Sequence, residues 1–265
     1  MTFDTETILT TNAHHALYPS LRDKRVIVSG GGSGIGAGLV EAFARQGARV
    51  AFVDVAAAES EALVDRLGDA THVPLFRRLD LTDLDALATV FADLQRELGG
   101  VDVLVNNAAN DDRHTVADIT PAYWDERMNV NLRHQFFAAQ AVIPAMKAGG
   151  GGSIVNFGSI SWHLGLEDLI LYQTAKAAIE GMTRSMARDL GRDNIRVNTV
   201  VPGWVMTERQ KELWVTEEAL NANLERQCIP VPLEPVYLAR MVLFLASDDA
   251  AMCTANNYMV EAGSI

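Results

Sequence analysis

The sequence predicts an α/β fold in a single domain, a doubly wound parallel sheet with helices on both faces. Strand-like and helix-like patterns alternate along most of the chain, which is typical of a parallel sheet. The strand patterns are apolar throughout, as expected for strands that helices cover on both faces. The length of 265 residues, 49% of them hydrophobic, suits one large core and is short for two complete domains.

The elements follow in order after a polar N-terminal extension, residues 1–23, which lacks periodicity and is expected to lie on the surface. Each predicted strand is a short run rich in branched apolar residues, and each predicted helix repeats apolar residues every three or four positions. In the domain of residues 24–265 a polar helical insertion, residues 207–233, is expected to cover the substrate as a lid. The predicted strands are residues 26–28, 49–53, 75–79, 101–105, 153–157, 195–200 and 258–260, and the main predicted helices are residues 59–67, 82–98, 124–147, 171–190 and 235–246.

Charge and cysteine content exclude several classes of function. Lysine and arginine number 22 against 34 aspartate and glutamate residues, and the formal net charge of −12 repels nucleic acids and anionic membranes. No apolar run approaches the roughly 18 residues of a membrane span, and the first residues lack the features of a signal peptide. Cys228 and Cys253 are expected to be free thiols in a reducing compartment. We therefore expect a cytoplasmic protein without a nucleic-acid, membrane or metal partner.

A glycine-rich turn follows the first strand and opens the first helix. Gly30, Gly34 and Gly36 allow a tight turn and let a pyrophosphate approach the free N–H groups of a helix. Alone, these glycines could form a plain tight turn. Asp54, at the end of the second strand, is placed to accept both ribose hydroxyls of an adenosine and to repel a 2′-phosphate. The two features together predict a bound dinucleotide, NAD in preference to NADP.

Tyr172 and Lys176 stand four residues apart at the start of a predicted helix and therefore share one face. An ammonium beside a phenol stabilises the phenolate and lowers the pKa of the tyrosine, which makes it a usable base. Such a pair is also common on helix surfaces. Ser159, just after the fifth strand, can donate a hydrogen bond to the same substrate oxygen, although a serine in a Gly-Ser turn can also be a cap or loop residue.

Together these residues resemble the short-chain dehydrogenase/reductase family, over nearly the whole chain after Arg25. The resemblance implies a Rossmann-like domain in which Tyr172 removes a hydroxyl proton and Ser159 steadies the oxygen. Lys176 then holds the nicotinamide ribose, and hydride passes to the nicotinamide. Asn131 is implied to anchor a water that relays the proton outward, although an asparagine there could instead kink the helix.

The same resemblance implies a full set of site residues. The expected catalytic residues are Asn131, Ser159, Tyr172 and Lys176. The expected cofactor-binding residues are Gly30, Ser33, Gly34, Ile35, Gly36, Asp54, Asp80, Leu81, Asn107, Ala108, Tyr172, Lys176, Pro202, Gly203, Val205 and Thr207.

The substrate is expected over the carboxyl ends of the strands, where polar and aromatic residues gather. The run 110–114, Asn-Asp-Asp-Arg-His, offers hydrogen-bonding groups, and Trp162 and Trp204 offer flat faces that stack on a pyranose. A sugar meets both features, although the run could be a solvated turn and the tryptophans could cover the core. The expected substrate-binding residues are Asn110, Ser159, Ser161, Trp162, Tyr172 and Trp204.

Residues 110–114, 131–134 and 158–169 further resemble the bacterial aldose 1-dehydrogenases, which act on sugars such as D-xylose, L-arabinose, D-galactose or L-fucose. This implies NAD-dependent oxidation of the anomeric hydroxyl of a pyranose to its lactone. Two alternatives remain open: a dehydrogenase or reductase for a ketone, steroid or acyl substrate, and a regulatory protein that binds NAD without turnover. The family also implies a homotetramer or homodimer paired through helices 124–147 and 171–190, whose apolar faces could otherwise pack within one chain.

Overall fold

The computed structural model describes residues 16–265, so residues 1–15 of the expected N-terminal extension lie outside the described residues. The remainder of that extension packs on the domain and does not simply lie on the surface. Pro19–Leu21 forms a 3₁₀ turn in which Leu21 is fully buried, and the backbone N–H of Tyr18 donates to the Gln46 side chain at 2.9 Å. The apolar Leu21 side chain anchors this segment to the core.

A seven-stranded parallel sheet forms the centre of the fold, with the strand order β3-β2-β1-β4-β5-β6-β7. The chain builds one half of the sheet outward from β1 and then returns to build the other half from β4. The crevice between β1 and β4, at the carboxyl ends of the strands, is the place where such sheets bind ligands. The strands are β1 Arg25–Ser29, β2 Arg49–Asp54, β3 Leu75–Arg78, β4 Val103–Asn106, β5 Gly152–Phe157, β6 Ile195–Pro202 and β7 Asn257–Val260.

Helices cover both faces of the sheet, which confirms the predicted fold class. Val28 packs in a cluster with residues of α1 and α10, whereas its neighbour Ile27 packs on the opposite face with residues of α3 and α5. Because side chains alternate along a strand, apolar residues at successive positions require two buried faces. The helices are α1 Gly34–Arg45, α2 Ala57–Arg66, α3 Leu84–Leu98, α4 Pro121–Met128, α5 His134–Ala148, α6 Ser161–Leu164, α7 Ile170–Leu190, α8 Glu208–Leu213, α9 Glu217–Arg226 and α10 Pro235–Ala246.

Two predicted helical regions differ from expectation. The helix predicted over residues 124–147 starts earlier, at Pro121, and a π-helical turn, Asn129–Arg133, interrupts it. The polar insertion forms two short helices, α8 and α9, which Thr207 and Thr216 cap. The spacing of apolar residues does not predict a π turn. The one extra residue in such a turn rotates the apolar face by only part of a helical turn.

Three general findings concern residues 16–265. Cys228 and Cys253 are free thiols. In this described part of the chain no helix combines the length and hydropathy that a bilayer span requires. Over the same residues, no three His, Cys, Asp or Glu side chains gather closely enough to hold a metal ion.

Candidate active site

The glycine turn connects β1 to α1, as predicted. Gly30 and Gly34 have φ values of 66° and 53°, in the left-handed region where a side chain is strained. The first hydrogen bond of α1 runs from Ala37 N to Ser33 O at 3.1 Å. The N–H groups before Ala37 therefore have no acceptor within the helix and form its positive end. This geometry suits a pyrophosphate.

Close contacts fix the path of the turn. A Cβ at Gly36 would lie 1.7 Å from the Gly30 carbonyl oxygen, and a Cβ at Gly30 would lie 2.7 Å from the Ala108 Cα. The Asn107 side-chain amide donates to the same Gly30 carbonyl at 2.8 Å. The structure therefore brings Asn107 and Ala108, at the end of β4, against the glycine turn.

Asp54 ends β2 with its carboxylate directed at the glycine turn. One carboxylate oxygen accepts the Gly32 N–H at 2.8 Å, and the other accepts the Ala56 N–H at 3.0 Å. Each oxygen keeps a further lone pair, so this fixed carboxylate can still accept two ribose hydroxyls. The segment after β3 lies beside it, because Leu79 N donates to the Asp54 carbonyl at 2.9 Å.

The remaining expected cofactor residues lie at the rims of the crevice. After β3, Leu81 is buried, while Asp80 is exposed and accepts hydrogen bonds from the Thr82 N–H and hydroxyl at 2.9 and 2.7 Å. After β6, a Cβ at Gly203 would lie 2.9 Å from the Glu261 Cα, so the chain passes closely beneath it.

The insertion begins next to the glycine turn. The Thr207 methyl carbon lies 3.1 Å from the position that a Cβ would take at Gly34. Thr207 also caps α8 by accepting the Gln210 N–H at 3.3 Å, and the nearby Val205 is buried and bridges to Leu233. The start of the insertion thereby closes one side of the crevice.

Tyr172 lies in the first turn of α7 with its hydroxyl hydrogen-bonded to Ser159. The Ser159 oxygen also accepts the Ser161 N–H at 3.1 Å, which orients the serine. Burial raises the pKa of Tyr172 and the negative charge of Asp111 raises it further, while the Ser159 hydrogen bond and the Arg113 charge oppose the shift.

Lys176 lies one helical turn from Tyr172, as predicted, and is buried. Its Nζ atom donates to the Phe157 carbonyl at 2.8 Å and lies 5.4 Å from the centre of the Tyr172 ring. Burial lowers the pKa of Lys176 to about 7, and the charge of Asp111 partly opposes this. The expected lowering of the tyrosine pKa by the lysine is not seen in this structure: burial is the largest influence on the pKa of Tyr172, and Lys176 is not among the groups that shift it.

Asn131 occupies the π turn, fully buried. Its side-chain oxygen accepts the Asn110 N–H at 2.8 Å, and its amide donates to the Arg127 carbonyl at 3.1 Å. The side chain is thus engaged with backbone, and the asparagine does lie at an irregular point of the helix. A π turn also disturbs the regular hydrogen-bond ladder, which frees carbonyl oxygens for other partners.

The loop of residues 110–114 is attached at both ends to elements of the site. Asn110 contacts Asn131, and the His114 Nε2 atom accepts the Leu171 N–H at 3.2 Å. That acceptor role leaves Nδ1 as the protonated nitrogen, 3.0 Å from the Asp112 carbonyl. His114 thereby caps the first turn of α7, which sequence reasoning missed because the cap comes from 57 residues earlier in the chain.

Three consecutive residues of this loop contact the insertion. Gln210 Nε2 donates to Asp111 at 2.8 Å, and Arg209 donates to Asp112 at 2.8 Å. The Arg113 guanidinium lies 5.0 Å from the ring centre of Trp214. The run is therefore a docking segment for α8 and not a solvated turn, and sequence alone offered no signal for Gln210 or Trp214.

The two predicted stacking tryptophans are placed differently. Trp204 lies beside the loop, since its indole N–H donates to Gln210 at 2.8 Å. Trp162 donates to Glu180 at 2.9 Å, two helical turns beyond Tyr172 on α7, and its ring lies on His163. The structure thus brings Trp204 toward the site and turns the indole nitrogen of Trp162 away from it. The hydroxyl of Ser161 is buried and makes no hydrogen bond to any described residue.

Comparisons with known proteins agree with this geometry. A family model described as enoyl-(acyl carrier protein) reductase matches residues 30–264. D-xylose 1-dehydrogenase of Caulobacter vibrioides is 58% identical over 94% of this chain and 98% of the relative. A protein named "Probable galactose dehydrogenase GalD" of Rhizobium meliloti is 51% identical over 93% of this chain and 96% of the relative.

A similar solved structure is that of 7α-hydroxysteroid dehydrogenase, complexed with NADH and 7-oxo glycochenodeoxycholic acid. It superposes with a TM-score of 0.88 and is 30% identical, and the match covers 93% of this chain and 97% of that chain. The chain belongs to the short-chain dehydrogenase/reductase family. It is an oxidoreductase with a Rossmann-like fold, and relatives that are 58% and 51% identical to it over the aligned residues are named as sugar dehydrogenases.

Proposed function

We propose that the protein is an NAD-dependent aldose 1-dehydrogenase, which oxidises the anomeric hydroxyl of a pyranose to the lactone. The observation that carries the proposal is the hydrogen-bonding loop of residues 110–114, attached beside the half-buried pair of Tyr172 and Ser159. A polyhydroxylated substrate matches such a wall, and the relatives named for D-xylose and galactose support this substrate class.

The residues around the glycine turn fit a dinucleotide. The free N–H groups at the start of α1 would hold the pyrophosphate, and Asp54 would accept the adenosine ribose hydroxyls. The carboxylate of Asp54 repels a 2′-phosphate, so we propose NAD as the cofactor. When bound, this cofactor supplies the hydride acceptor.

The chain's own residues would handle the proton. Tyr172 accepts the proton of the anomeric hydroxyl, and Ser159 donates a hydrogen bond to the same oxygen. Lys176 lies one turn away, where it can contact the nicotinamide ribose and pass a proton outward. The side chain of Asn131 is engaged, so its backbone carbonyl is the group proposed to hold the relay water. The ring oxygen of the sugar stabilises positive charge at the anomeric carbon and makes it a good hydride donor.

A substrate screen tests this proposal. Pentoses and hexoses, including D-xylose, L-arabinose, D-galactose and L-fucose, are each incubated with NAD or NADP while absorbance reports reduced cofactor. We expect turnover of at least one aldose, with a higher kcat/KM for NAD. Asp54→Ala should lower the ratio of kcat/KM with NAD to kcat/KM with NADP.

A second candidate function is oxidation or reduction of a ketone, steroid or acyl substrate, which the description of the matching family model favours. The polar loop disfavours it, because an apolar substrate would leave the remaining acceptor positions of the mostly buried Asp111 carboxylate unpaired. Turnover of such substrates and of no aldose would support this candidate. Binding of NAD without any turnover would instead favour a regulatory protein.

We also propose that residues 207–233 act as a lid over the substrate. We propose separately that the protein is a homodimer or homotetramer. Trp124 of α4, Phe136 of α5 and Ile170 of α7 expose 44%, 40% and 44% of their surfaces. Large apolar side chains exposed at this level on adjacent helices suit a subunit interface. Light scattering of the purified protein should report a dimer or tetramer, and a monomer would contradict the assembly.

A further inference from the structure

Asp111 differs from the other acidic residues near the site in what surrounds it. Its carboxylate is about four-fifths buried, with 21% of the side chain exposed. One oxygen accepts a hydrogen bond from Gln210 at 2.8 Å, and the other lies 3.7 Å from an Arg209 nitrogen, beyond hydrogen-bond distance. A carboxylate has about four acceptor positions, so Asp111 keeps most of its capacity.

The neighbouring Asp112 is a useful contrast. It accepts hydrogen bonds from Arg127 at 3.1 Å and from Arg209 at 2.8 Å. Two arginines therefore compensate its charge, and it joins α4 to the insertion. The contacts of Asp112 explain its charge as a structural link between helices. Among residues 16–265, no such contacts occupy the remaining acceptor positions of Asp111.

The position of Asp111 is fixed relative to Tyr172. The loop is held at Asn110 by Asn131 and at His114 by the backbone of Leu171, the residue before the tyrosine. Asp111 is the group whose negative charge raises the pKa of both Tyr172 and Lys176. The loop that carries Asp111 is thus anchored directly beside Tyr172, which places the carboxylate on the same wall as the tyrosine.

The negative charge of Asp111 is unfavourable for the proposed base, so a purely structural role does not explain it. A negative charge beside Tyr172 opposes formation of the phenolate, so a neutral amide would serve the base better at this position. Hydroxyl donors from a bound substrate would compensate the carboxylate, because hydrogen bonds to a charged acceptor are stronger than those between neutral groups.

We propose that Asp111 determines substrate specificity by accepting a hydrogen bond from a sugar hydroxyl other than the one that is oxidised. Gln210 fixes the carboxylate and is itself held by Trp204, whose indole N–H donates to it at 2.8 Å. The three residues form one wall that joins the loop to the insertion. This inference rests on the proposed sugar dehydrogenase function and names the group that selects a polyol over a simple alcohol.

The test measures kcat/KM for a parent sugar and a series of deoxy analogues, each lacking one hydroxyl, with wild type, Asp111→Asn and Asp112→Asn. For wild type we expect one analogue to fall at least about 10²-fold below its parent, because a site built to bind a hydroxyl rejects the analogue that lacks it. Asp111→Asn should reduce the ratio of kcat/KM for the parent sugar to kcat/KM for that analogue at least about tenfold. Asp112→Asn should lower activity on both sugars together and leave the ratio within about twofold.

A pH profile gives a second readout, which reports the charge of Asp111 and which the loss of a loop contact alone would not move. Removing the charge lowers the pKa of Tyr172, so the acidic limb of kcat/KM should move to lower pH in Asp111→Asn and not in Asp112→Asn. An unchanged ratio for every analogue in Asp111→Asn, with wild type active on the parent sugars, overturns this inference and leaves the proposed function standing. Wild type that oxidises no aldose overturns the proposed function as well. Circular dichroism and NAD binding verify that each variant is folded.

Discussion

The two sides of the crevice are built in different ways. The proposed cofactor side is built mainly from the backbone of the glycine turn and the Asp54 carboxylate, which adjacent parallel strands hold together, with Asn107 supporting the turn. The proposed substrate side is built from side chains of distant segments, such as Asp111 and Gln210, which are 99 residues apart. Tyr172 and Lys176 lie where the two sides meet.

This difference indicates which side can vary. A backbone turn in which a Cβ would overlap a carbonyl oxygen tolerates almost no substitution. Side-chain contacts between two surface loops can be exchanged without disturbing the core. This difference is consistent with relatives named for different sugars being 58% and 51% identical to the chain over the aligned residues. The predictions below test this contrast.

The largest expected effect lies where the two sides meet. Tyr172→Phe keeps the ring and deletes the base, so kcat should fall at least about 10²-fold while NAD binding is retained. Steady-state kinetics and a fluorescence titration of NAD measure both quantities. Tyr18→Phe, outside the crevice, is the control and should retain activity. Near-normal turnover by Tyr172→Phe would remove this residue from the mechanism.

On the cofactor side, Gly36→Ala should abolish the NAD site. The added Cβ would lie 1.7 Å from the Gly30 carbonyl oxygen, so the turn must open. We expect NAD affinity to fall by well over tenfold, measured by calorimetry. Gly191→Ala is the matched control: its φ is −60° and no heavy atom lies within 4 Å of the new Cβ. That variant should bind NAD normally and gain about 0.4–1 kcal/mol in stability. Equal affinities for the two variants would contradict the contrast.

Lys176→Met should stabilise the protein in a pH-dependent way. The pKa of the buried lysine falls to about 7 from the usual 10.5, so the folded state binds its proton less tightly than the unfolded state. The free energy of unfolding of the wild type therefore rises with pH between about 7 and 10.5. The buried lysine destabilises the folded state most below pH 7.

Thermal melts of Lys176→Met and wild type measure this difference. The variant should melt several degrees higher at pH 6, and its advantage should shrink at pH 9. An advantage that does not depend on pH would mean that packing and not charge burial is responsible.

The smallest effect is expected on the substrate side. Arg209→Ala removes the contact to Asp112, but the arginine side chain is 49% exposed, so the loss of stability should be within about 0.2–1 kcal/mol. KM for the sugar should rise a few-fold with kcat nearly unchanged, since the lid is loosened and the base is untouched. A collapse of NAD binding in Arg209→Ala would show that the two sides are not independent.

Sequence patterns predicted the parallel sheet, the glycine turn, Asp54 and the spacing of Tyr172 and Lys176. Each of these is local, since it follows from side-chain periodicity or from residues within a few helical turns. The predicted boundaries were close to the observed ones, and α10 agreed at both ends. The π turn, Asn129–Arg133, was not predicted, because apolar periodicity does not distinguish it from a regular helix.

The amino-acid sequence by itself thus determined the fold class, the glycine turn and the spacing of Tyr172 and Lys176, because apolar periodicity and glycine spacing act over short distances. Tertiary structure alone decided that His114 caps α7, that Trp162 turns toward Glu180 and that Gln210 binds Asp111. Such contacts depend on where distant segments meet once the core has packed. Burial then sets the protonation behaviour of Tyr172 and Lys176, and burial is a property of the packed molecule and not of the order of its residues.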